Sequence, residues 1–410
     1  MSTERAVVTG VGVVAPNGVG TGAYWDGLLA GKNGICELTR FDASRYPARL
    51  AGQIGDYVAA DHIPSRLLPQ TDVSTRYALT AAEEALKDAG VGPGCGLADY
   101  DMGVVTSTAQ GGFDFTHREF SKLWSSGPEF VSVYESFAWF YAVNTGQISI
   151  RHGTRGPSAA LVAEQAGGLD AIGHACRTVA SGTPLVLCGG VDSALDPWGW
   201  ASQLADQRVT TATDPERAYL PFDAEARGHV PGEGGAMLIV EDAASAARRG
   251  APRVYGEIAG YAATFDPAPG SGRPPSLGRA ALLALEQAGL DRADVDVVFA
   301  DGAARPEADR AEAEAIRELF GPRGVPVTVP KALLGRMCAG GGPADVVAAL
   351  LALRDGVVPA TEHTSRVPEA YEIDLVTGEP RDIRPRSALV LARGRHGFNA
   401  AVVLTAGDHH

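Results

Sequence analysis

GPSAALVAEQAGGLDAIGHA, residues 156–175, is the stretch that decides the fold class of this chain. Residues 158–163 have the composition of a short strand and residues 167–180 that of a helix, with room between them only for a tight elbow. Residues 185–188 predict a second strand, which runs into two glycines. A strand, a helix and another strand in this order are typical of α/β folds with largely parallel sheets.

The same alternation continues on both sides of this stretch. Further strands are predicted at 6–8, 102–106 and 295–300, and helices at 76–89, 277–289, 307–319 and 343–354. A break rich in Ala, Arg, Gly and Pro covers residues 244–275. We therefore place the boundary between two halves near residue 250, with an N-terminal half at 1–250 and a C-terminal half at 251–408.

Composition and charge narrow the class of protein. The chain has 410 residues, 45% of them apolar and 20% charged, which indicates a folded globular protein. Its formal net charge of -14 argues against a nucleic-acid backbone or an anionic membrane as the main partner. The longest apolar runs fall far short of the ~20 residues needed to cross a bilayer, and the N-terminal residues contain no hydrophobic signal core.

The number and spacing of the cysteines narrow the class of protein further. There are five, with no C-x-x-C spacing and no Cys/His cluster of zinc-ligand spacing. A reducing compartment is the simplest interpretation. We therefore expect a cytoplasmic protein that binds no metal and no cofactor.

A partial dinucleotide-binding motif follows the first predicted strand. Gly10-x-Gly12-x-x-Ala15 matches part of the G-x-G-x-x-G pattern. That pattern requires a helix whose N-terminus holds the pyrophosphate, whereas Pro16-Asn17-Gly18 predicts another turn. A nucleotide-dependent oxidoreductase is therefore a less favoured alternative.

Aromatic residues concentrate in the segment 113–141. Its 29 residues hold 10 of the 28 aromatic side chains of the protein (12 Phe, 5 Trp and 11 Tyr). A helix would present four of its residues on one face, because they are spaced by 3, 4 and 4 positions: Phe113, Thr116, Phe120 and Trp124. Two interpretations stay open: a buried core segment, or a subunit interface, where aromatic residues are enriched.

Further sequence blocks accompany residues 156–175 in a definite order. They are RAVVTGVGVVAPNG at 5–18, LCGGVDSAL at 187–195, YLPFDAEARGHVPGEGGAMLIVED at 219–242, VFADGAARPEADRAEAEAI at 298–316, VPKALLGRMCAGGGPAD at 329–345 and LARGRHGFNAAVVL at 391–404. In order and spacing, these blocks resemble the β-ketoacyl synthases of the thiolase superfamily across almost the whole chain. The resemblance implies a thiolase-like α/β fold, a five-layered αβαβα arrangement of two pseudo-symmetric halves.

The chain differs from that family at each of the positions that would carry out the condensation chemistry. The family uses a cysteine at the strand–helix elbow and two histidines, and the resemblance aligns these with Gln165, Asp301 and Arg336. A carboxamide has no thiolate form and cannot hold an acyl chain as a thioester. The resemblance therefore implies no catalytic residue for condensation here, although Lys331 and Gly335 of the family pattern are kept.

Two further expectations concern charged residues near the vacated positions. Asp301 and Arg336 have opposite charges and are expected to form a salt bridge. Glu307, Glu312 and Glu314 are expected to form a solvated acidic helix face and not a metal site.

Gln165, within VAEQAGG, makes the chain resemble in particular the ketosynthase β subunits, or chain length factors, of bacterial type II aromatic polyketide synthases. The resemblance implies a heterodimer with an active ketosynthase α subunit, served by an acyl carrier protein, in which this chain shapes the polyketide tunnel. It also implies a chain-length gate at Phe113, Thr116 and Phe120, with Trp198 as a further candidate. Two bulky Phe side chains suit a shorter tunnel, which predicts an octaketide product.

A different class of function also stays open. Glutamine replaces cysteine in ketosynthase-like domains that decarboxylate malonyl-carrier protein, and an amide NH2 can hydrogen-bond a developing enolate oxygen. Gln165 would then be the residue of a homodimeric priming enzyme. Such decarboxylases generally retain the histidine pair, which is replaced here by Asp301 and Arg336.

Overall fold

One hydrogen-bonded sheet of twelve strands runs through residues 5–92, 94–268 and 270–407, which the computed structural model describes. Four further short strands form two small separate ribbons. In chain order the strands are β1 (Ala6–Ala15), β2 (Gly18–Val19), β3 (Ile35–Glu37), β4 (Leu50–Gly52), β5 (Met102–Ser107), β6 (Ser158–Leu161), β7 (Leu185–Asp192), β8 (Gly234–Asp242), β9 (Gly256–Phe265), β10 (Val297–Phe299), β11 (Pro326–Thr328), β12 (Val357–Val358), β13 (Asp374–Leu375), β14 (Arg381–Asp382), β15 (Ser387–Arg393) and β16 (Phe398–Ala406).

The α-helices of the described residues connect and cover these strands. They are α1 (Thr21–Leu29), α2 (Ala59–His62), α3 (Val73–Asp88), α4 (Phe113–Ser126), α5 (Glu135–Ala138), α6 (Val143–His152), α7 (Gly167–Ala180), α8 (Pro197–Ala205), α9 (Ala243–Arg249), α10 (Leu277–Ala288), α11 (Pro306–Phe320) and α12 (Gly341–Asp355). None of them is long and apolar enough to cross a membrane.

The strand pairing repeats itself in the two parts of the chain. The first part has the order β1-β8-β7-β5-β6, in which β8 is antiparallel to both neighbours and the last three strands are parallel. The second part has the order β9-β16-β15-β10-β11 with the same directions, and β13 is added at its edge. The two parts join where β1 meets β9 over two residue pairs. This repeat confirms the expected pair of pseudo-symmetric halves.

Two buried helices separate the halves. Helices α7 and α12 contact each other, and each packs against strands of both parts of the chain. Residues 341–353 of α12 are buried on every side, as expected for a helix that is apolar all round. Helix α3 covers β1 and β8 from outside, and α10 covers β9 and β16 in the same way. The resulting layers are helix, sheet, helix, sheet and helix, the predicted five-layered arrangement.

The partial dinucleotide-binding motif, which Pro16-Asn17-Gly18 already disfavoured, has its glycines inside a strand. β1 continues to Ala15, and Pro16 and Asn17 form the turn of a hairpin with β2. A Cβ atom at Gly12 would lie 2.1 Å from the carbonyl oxygen of Ala81 on α3. Glycine is therefore needed there because the helix backbone approaches the strand closely, and no helix N-terminus is presented to a pyrophosphate.

The division of the chain into halves at 1–250 and 251–408 stays a proposal. The repeated pairing order supports it, since β8 ends at Asp242 and β9 begins at Gly256. Asp408, the last residue of the proposed second half, lies outside the described residues.

Candidate functional site

The elbow between β6 and α7 carries Gln165. Glu164 adopts a left-handed backbone conformation with φ of 51°, and a short 3-10 turn over Glu164–Ala166 leads directly into α7. A glutamate in this region of φ is uncommon and marks a sharply bent backbone. The Glu164 carboxylate accepts a hydrogen bond from the Arg395 backbone N–H at 2.9 Å, which helps to hold the bend. A thiol at position 165 would be activated by the helix N-terminus, whereas the Gln165 amide has no ionised form.

The Gln165 side chain is fully buried against the start of α12. A Cβ atom at Gly341 would lie 2.3 Å from its Nε2 atom, so only glycine leaves room for the amide. Neither Nε2 nor Oε1 has a hydrogen-bond partner within the described protein. Burying an amide without hydrogen-bond partners costs free energy.

Asp301 and Arg336 form the expected salt bridge. Arg336 Nη2 lies 3.0 Å from Asp301 Oδ2 and donates to Oδ1 at 3.2 Å. Both side chains are buried, and Arg393 joins them through its backbone: its N–H donates to Asp301 Oδ1 and its carbonyl accepts from Arg336. Burial disfavours the charged guanidinium, but Asp301, Glu164 and Tyr219 together outweigh this effect and raise the pKa of Arg336. The salt bridge engages Nη2 of Arg336, whereas Nη1 is buried without a hydrogen-bond partner among the described residues.

Lys331 supports the strand end that carries Asp301. Its ammonium donates to the carbonyls of Ala300 and Asp301 at 2.9 and 3.2 Å and forms a buried ion pair with Asp345 of α12. Sequence reasoning identified Lys331 as a retained family residue but missed Asp345. The signal was available, since Asp345 is the last residue of the block at 329–345.

The prediction of a solvated acidic face on α11 is wrong for one of its three residues. Glu307 and Glu314 are exposed, but Glu312 is buried. The Glu312 carboxylate accepts from the backbone N–H groups of Asp301 and Gly302 at 2.7 and 3.0 Å. Burial and the nearby Asp301 charge raise the pKa of Glu312 to about 7. Glu312 thus holds the Asp301 backbone, and among the described residues no acidic or Cys/His cluster has the arrangement of a metal site.

A charged cavity of about 580 Å³ lies beside the salt bridge. Guanidinium and carboxylate groups line it together, and His229 contributes a buried imidazole. Burial lowers the pKa of His229 well below its usual value, and the positive charges of Arg336 and Arg395 lower it further. Such a cavity differs from the apolar pocket that usually accommodates an acyl chain.

The candidate gate residues lie on α4 and α8. The Trp198 ring packs edge-on against Phe113, with centroids 5.2 Å apart, and contacts Phe120 at 5.8 Å. Phe120 and Trp198 are partly exposed, whereas Thr116 is buried on the same helix as the two phenylalanines. The structure thus brings Phe113, Phe120 and Trp198 together, although residue 198 is far from the others in sequence.

The aromatic segment 113–141 is not core. Only Phe115 among its ten aromatic side chains is buried. Six are exposed: Phe120, Trp124, Phe130, Trp139, Phe140 and Tyr141. Of the two interpretations left open by the sequence, burial within this chain is therefore wrong. Large exposed apolar patches of this kind mark interaction surfaces.

Comparisons with known proteins agree with the fold. The family models described as Beta-ketoacyl synthase, N-terminal domain and Beta-ketoacyl synthase, C-terminal domain match residues 3–246 and 255–365. The actinorhodin polyketide β-ketoacyl synthase 2 of Streptomyces coelicolor is 68% identical over 97% of this chain and 98% of its own. The tetracenomycin polyketide synthase ketoacyl synthase beta subunit of Streptomyces glaucescens is 56% identical over 97% of both chains.

A solved structure extends the likeness to three dimensions. The ishigamide ketosynthase/chain length factor superposes with a TM-score of 0.90 at 25% identity, over 98% of this chain and 99% of that one. The chain therefore belongs to the β-ketoacyl synthase family, on the branch of ketosynthase β subunits, or chain length factors, of type II polyketide synthases.

Proposed function

We propose that this chain is a non-condensing subunit that pairs one-to-one with an active ketosynthase α subunit and shapes the tunnel of the growing polyketide. The observation that carries the proposal is the exposed apolar face of segment 113–141, on a fold whose condensing positions hold Gln165, Asp301 and Arg336. The acyl carrier protein then docks mainly on the partner, because this chain has a net charge of -14 and carrier proteins are acidic.

The inability to condense follows from side-chain chemistry. Condensation needs a thiolate that accepts the acyl chain and two donors that polarise the second thioester. Gln165 cannot form a thiolate, and the two other positions hold a buried carboxylate–guanidinium salt bridge where the family has two imidazoles. The preserved fold around these positions supports a role that depends on shape.

The exposed apolar face of segment 113–141 suits one kind of partner. It includes Trp124, whose surface is 82% exposed. Among the described strands β6 pairs with β5 alone, so its other edge is open. An open strand edge and an exposed apolar surface on the same chain suit a second chain of the same fold, whose own edge strand can pair with β6. A ketosynthase α subunit meets this requirement and supplies the missing cysteine.

Co-expression with a ketosynthase α subunit followed by native mass spectrometry tests the pairing. We expect a one-to-one heterodimer, and Trp124→Ser should weaken it at least about tenfold because aromatic anchors dominate interface energies. Tyr100→Ser is the matched control, since Tyr100 is 70% exposed but lies outside segment 113–141. A stable homodimer that ignores the partner, or equal weakening by both variants, would contradict the proposal.

We further propose that Phe113, Thr116, Phe120 and Trp198 form the gate that sets chain length, with an octaketide as the product. The aromatic cluster around Trp198 supports this role, because its rings are packed yet not part of a buried core. Phe120→Ala should give a folded complex that makes longer chains. Phe115→Ala is the matched control on the same helix: Phe115 is buried, so its truncation should cost about 3–5 kcal/mol of stability without lengthening the product. Unchanged length in a folded Phe120→Ala complex would refute the gate.

A second candidate function is malonyl decarboxylation by Gln165 to supply the starter unit. The observation in its favour is the buried amide, whose Nε2 and Oε1 atoms lack partners in the described protein. The salt bridge between Asp301 and Arg336 weighs against it, since it replaces the histidine pair that such decarboxylases generally retain. Gln165→Ala should abolish priming by the complex if this function is real, and unchanged priming would exclude it.

A further inference from the structure

We propose that His117 and Asp196 form a clasp that positions the aromatic gate, which makes His117 a positioning residue for product length. This role rests on the gate proposed above and adds to it a pair of residues that contact no polyketide.

The clasp joins the two helices that carry the gate. His117 Nδ1 on α4 lies 3.0 Å from Asp196 Oδ1, so the imidazole and the carboxylate are in close polar contact and form an ion pair when the ring is protonated. Asp196 immediately precedes α8. The pair is the polar link between α4 and α8 that lies closest in sequence to both Phe120 and Trp198.

Asp196 fixes Trp198 directly. Its carboxylate caps α8 by accepting from the backbone N–H of Trp198 at 2.9 Å and from that of Gly199 at 3.3 Å. Its side chain is 3% exposed, so the carboxylate is held in one place. His117 therefore contacts the group that sets the start of α8 and the position of the Trp198 ring.

The first turn of α4, just before His117, is anchored independently. Asp72 accepts from the Phe115 backbone N–H at 2.9 Å and from that of Ser74 at 2.8 Å, which ties α4 to α3. Without the clasp, α4 would keep its first turn in place while the contact between Phe120 and Trp198 loosened. The clasp thus controls the distance across the gate and not the fold of either helix.

Space for such a movement is present. A cavity of about 240 Å³ borders the clasp and is lined by His117, Asp196 and Pro197 at the start of α8. Side chains in a close-packed interior cannot shift without a void, whereas those beside a cavity can. Breaking the clasp should therefore widen the gate at little cost in stability, the more so because the His117 side chain is 34% exposed.

The test measures the product-length distribution of the complex of this chain with its ketosynthase α subunit and carrier protein, by mass spectrometry. His117→Ala should raise the ratio of longer chains to native-length chains by roughly tenfold, the scale of losing one hydrogen bond to a charged group. His117→Asn should restore the native distribution, because the Asn Nδ2 atom occupies the place of the ring Nδ1. Arg118→Ala is the matched control: Arg118 is exposed on the same helix and pairs with Asp114.

Asp196→Ser provides a second route in case His117→Ala assembles poorly. Serine keeps the helix cap but is too short to reach His117, so the product should lengthen as with His117→Ala. If Phe120→Ala lengthens the product and the clasp variants do not, the clasp is wrong and the gate stands. If none of them changes length, both are wrong. A loss of yield and melting temperature without a change in length would assign His117 a purely structural role and overturn the inference.

Discussion

Removing one partner of the Asp301–Arg336 salt bridge should destabilise the protein more than removing both. In Arg336→Met, the Asp301 carboxylate stays buried and keeps only the Arg393 backbone N–H as a donor. Glu312 accepts a hydrogen bond from the Asp301 backbone N–H and, when it is ionised, adds a second negative charge. An uncompensated buried carboxylate is costly, so this single substitution should have a large effect.

The magnitude follows from the burial of both groups. Their side chains are 0% and 8% exposed, and breaking a buried pair of this kind costs about 3–5 kcal/mol. The entropy of unfolding is about 2.1 cal/mol/K per residue near 60 °C, which amounts to roughly 0.9 kcal/mol/K for 410 residues. The melting temperature of Arg336→Met should therefore fall by about 3–6 °C.

The double variant Asp301→Asn with Arg336→Met separates the salt bridge from general damage. Asn keeps an acceptor for the Arg393 N–H and removes the charge, so most of the stability should return, to within about 2 kcal/mol of the unmodified protein. Scanning calorimetry of the four proteins at one scan rate measures the cycle. Additive losses, with the double variant less stable than either single one, would refute the view that Asp301 and Arg336 neutralise each other and fill the site.

Two further predictions concern pH and packing. The folded-state pKa of His229 lies well below 6.5. Below pH 6.5 the unfolded chain therefore binds a proton that the folded chain does not. The free energy of unfolding should then fall by up to about 1.4 kcal/mol for each unit by which the pH is lowered. His229→Asn should lose less stability than the unmodified protein between pH 7.5 and 5.5 in thermal melts, and equal losses would exclude His229 as the cause. Gly12→Ala should lower the melting temperature by several degrees, because its Cβ would lie 2.1 Å from the Ala81 carbonyl oxygen. Gly22→Ala is its control, with nothing within 4 Å of the added methyl group, and should be neutral or slightly stabilising.

Local patterns predicted the elements around the elbow well. The helix predicted at 167–180 is α7 with the same bounds, and the strand predicted at 158–163 is β6, which ends two residues earlier. The first strand was predicted too short, because Gly10 and Gly12 interrupt the run of β-branched residues. Their role is visible only when α3 lies against β1, since propensity describes a residue without its neighbours.

Local sequence patterns also fail to predict how the charged residues at the site are arranged. Spacing on a helix cannot tell whether the carboxylate of Glu312 faces water or the backbone of a neighbouring strand end. The structure places it under Asp301 and Gly302, eleven and ten residues earlier in the chain. Likewise the aromatic density at 113–141 predicted either a core or an interface, and only the exposure of its side chains decided between them.

The sequence by itself determined what cannot happen in this protein. The absence of a thiolate at Gln165 and of imidazoles at Asp301 and Arg336 is a property of those side chains and holds in any conformation. Only the tertiary structure decided that Asp301 and Arg336, 35 residues apart, meet in a buried salt bridge, and that Trp198 packs against Phe113 and Phe120. The physical reason is that side-chain chemistry is local, whereas burial and contact depend on how distant segments pack against one another.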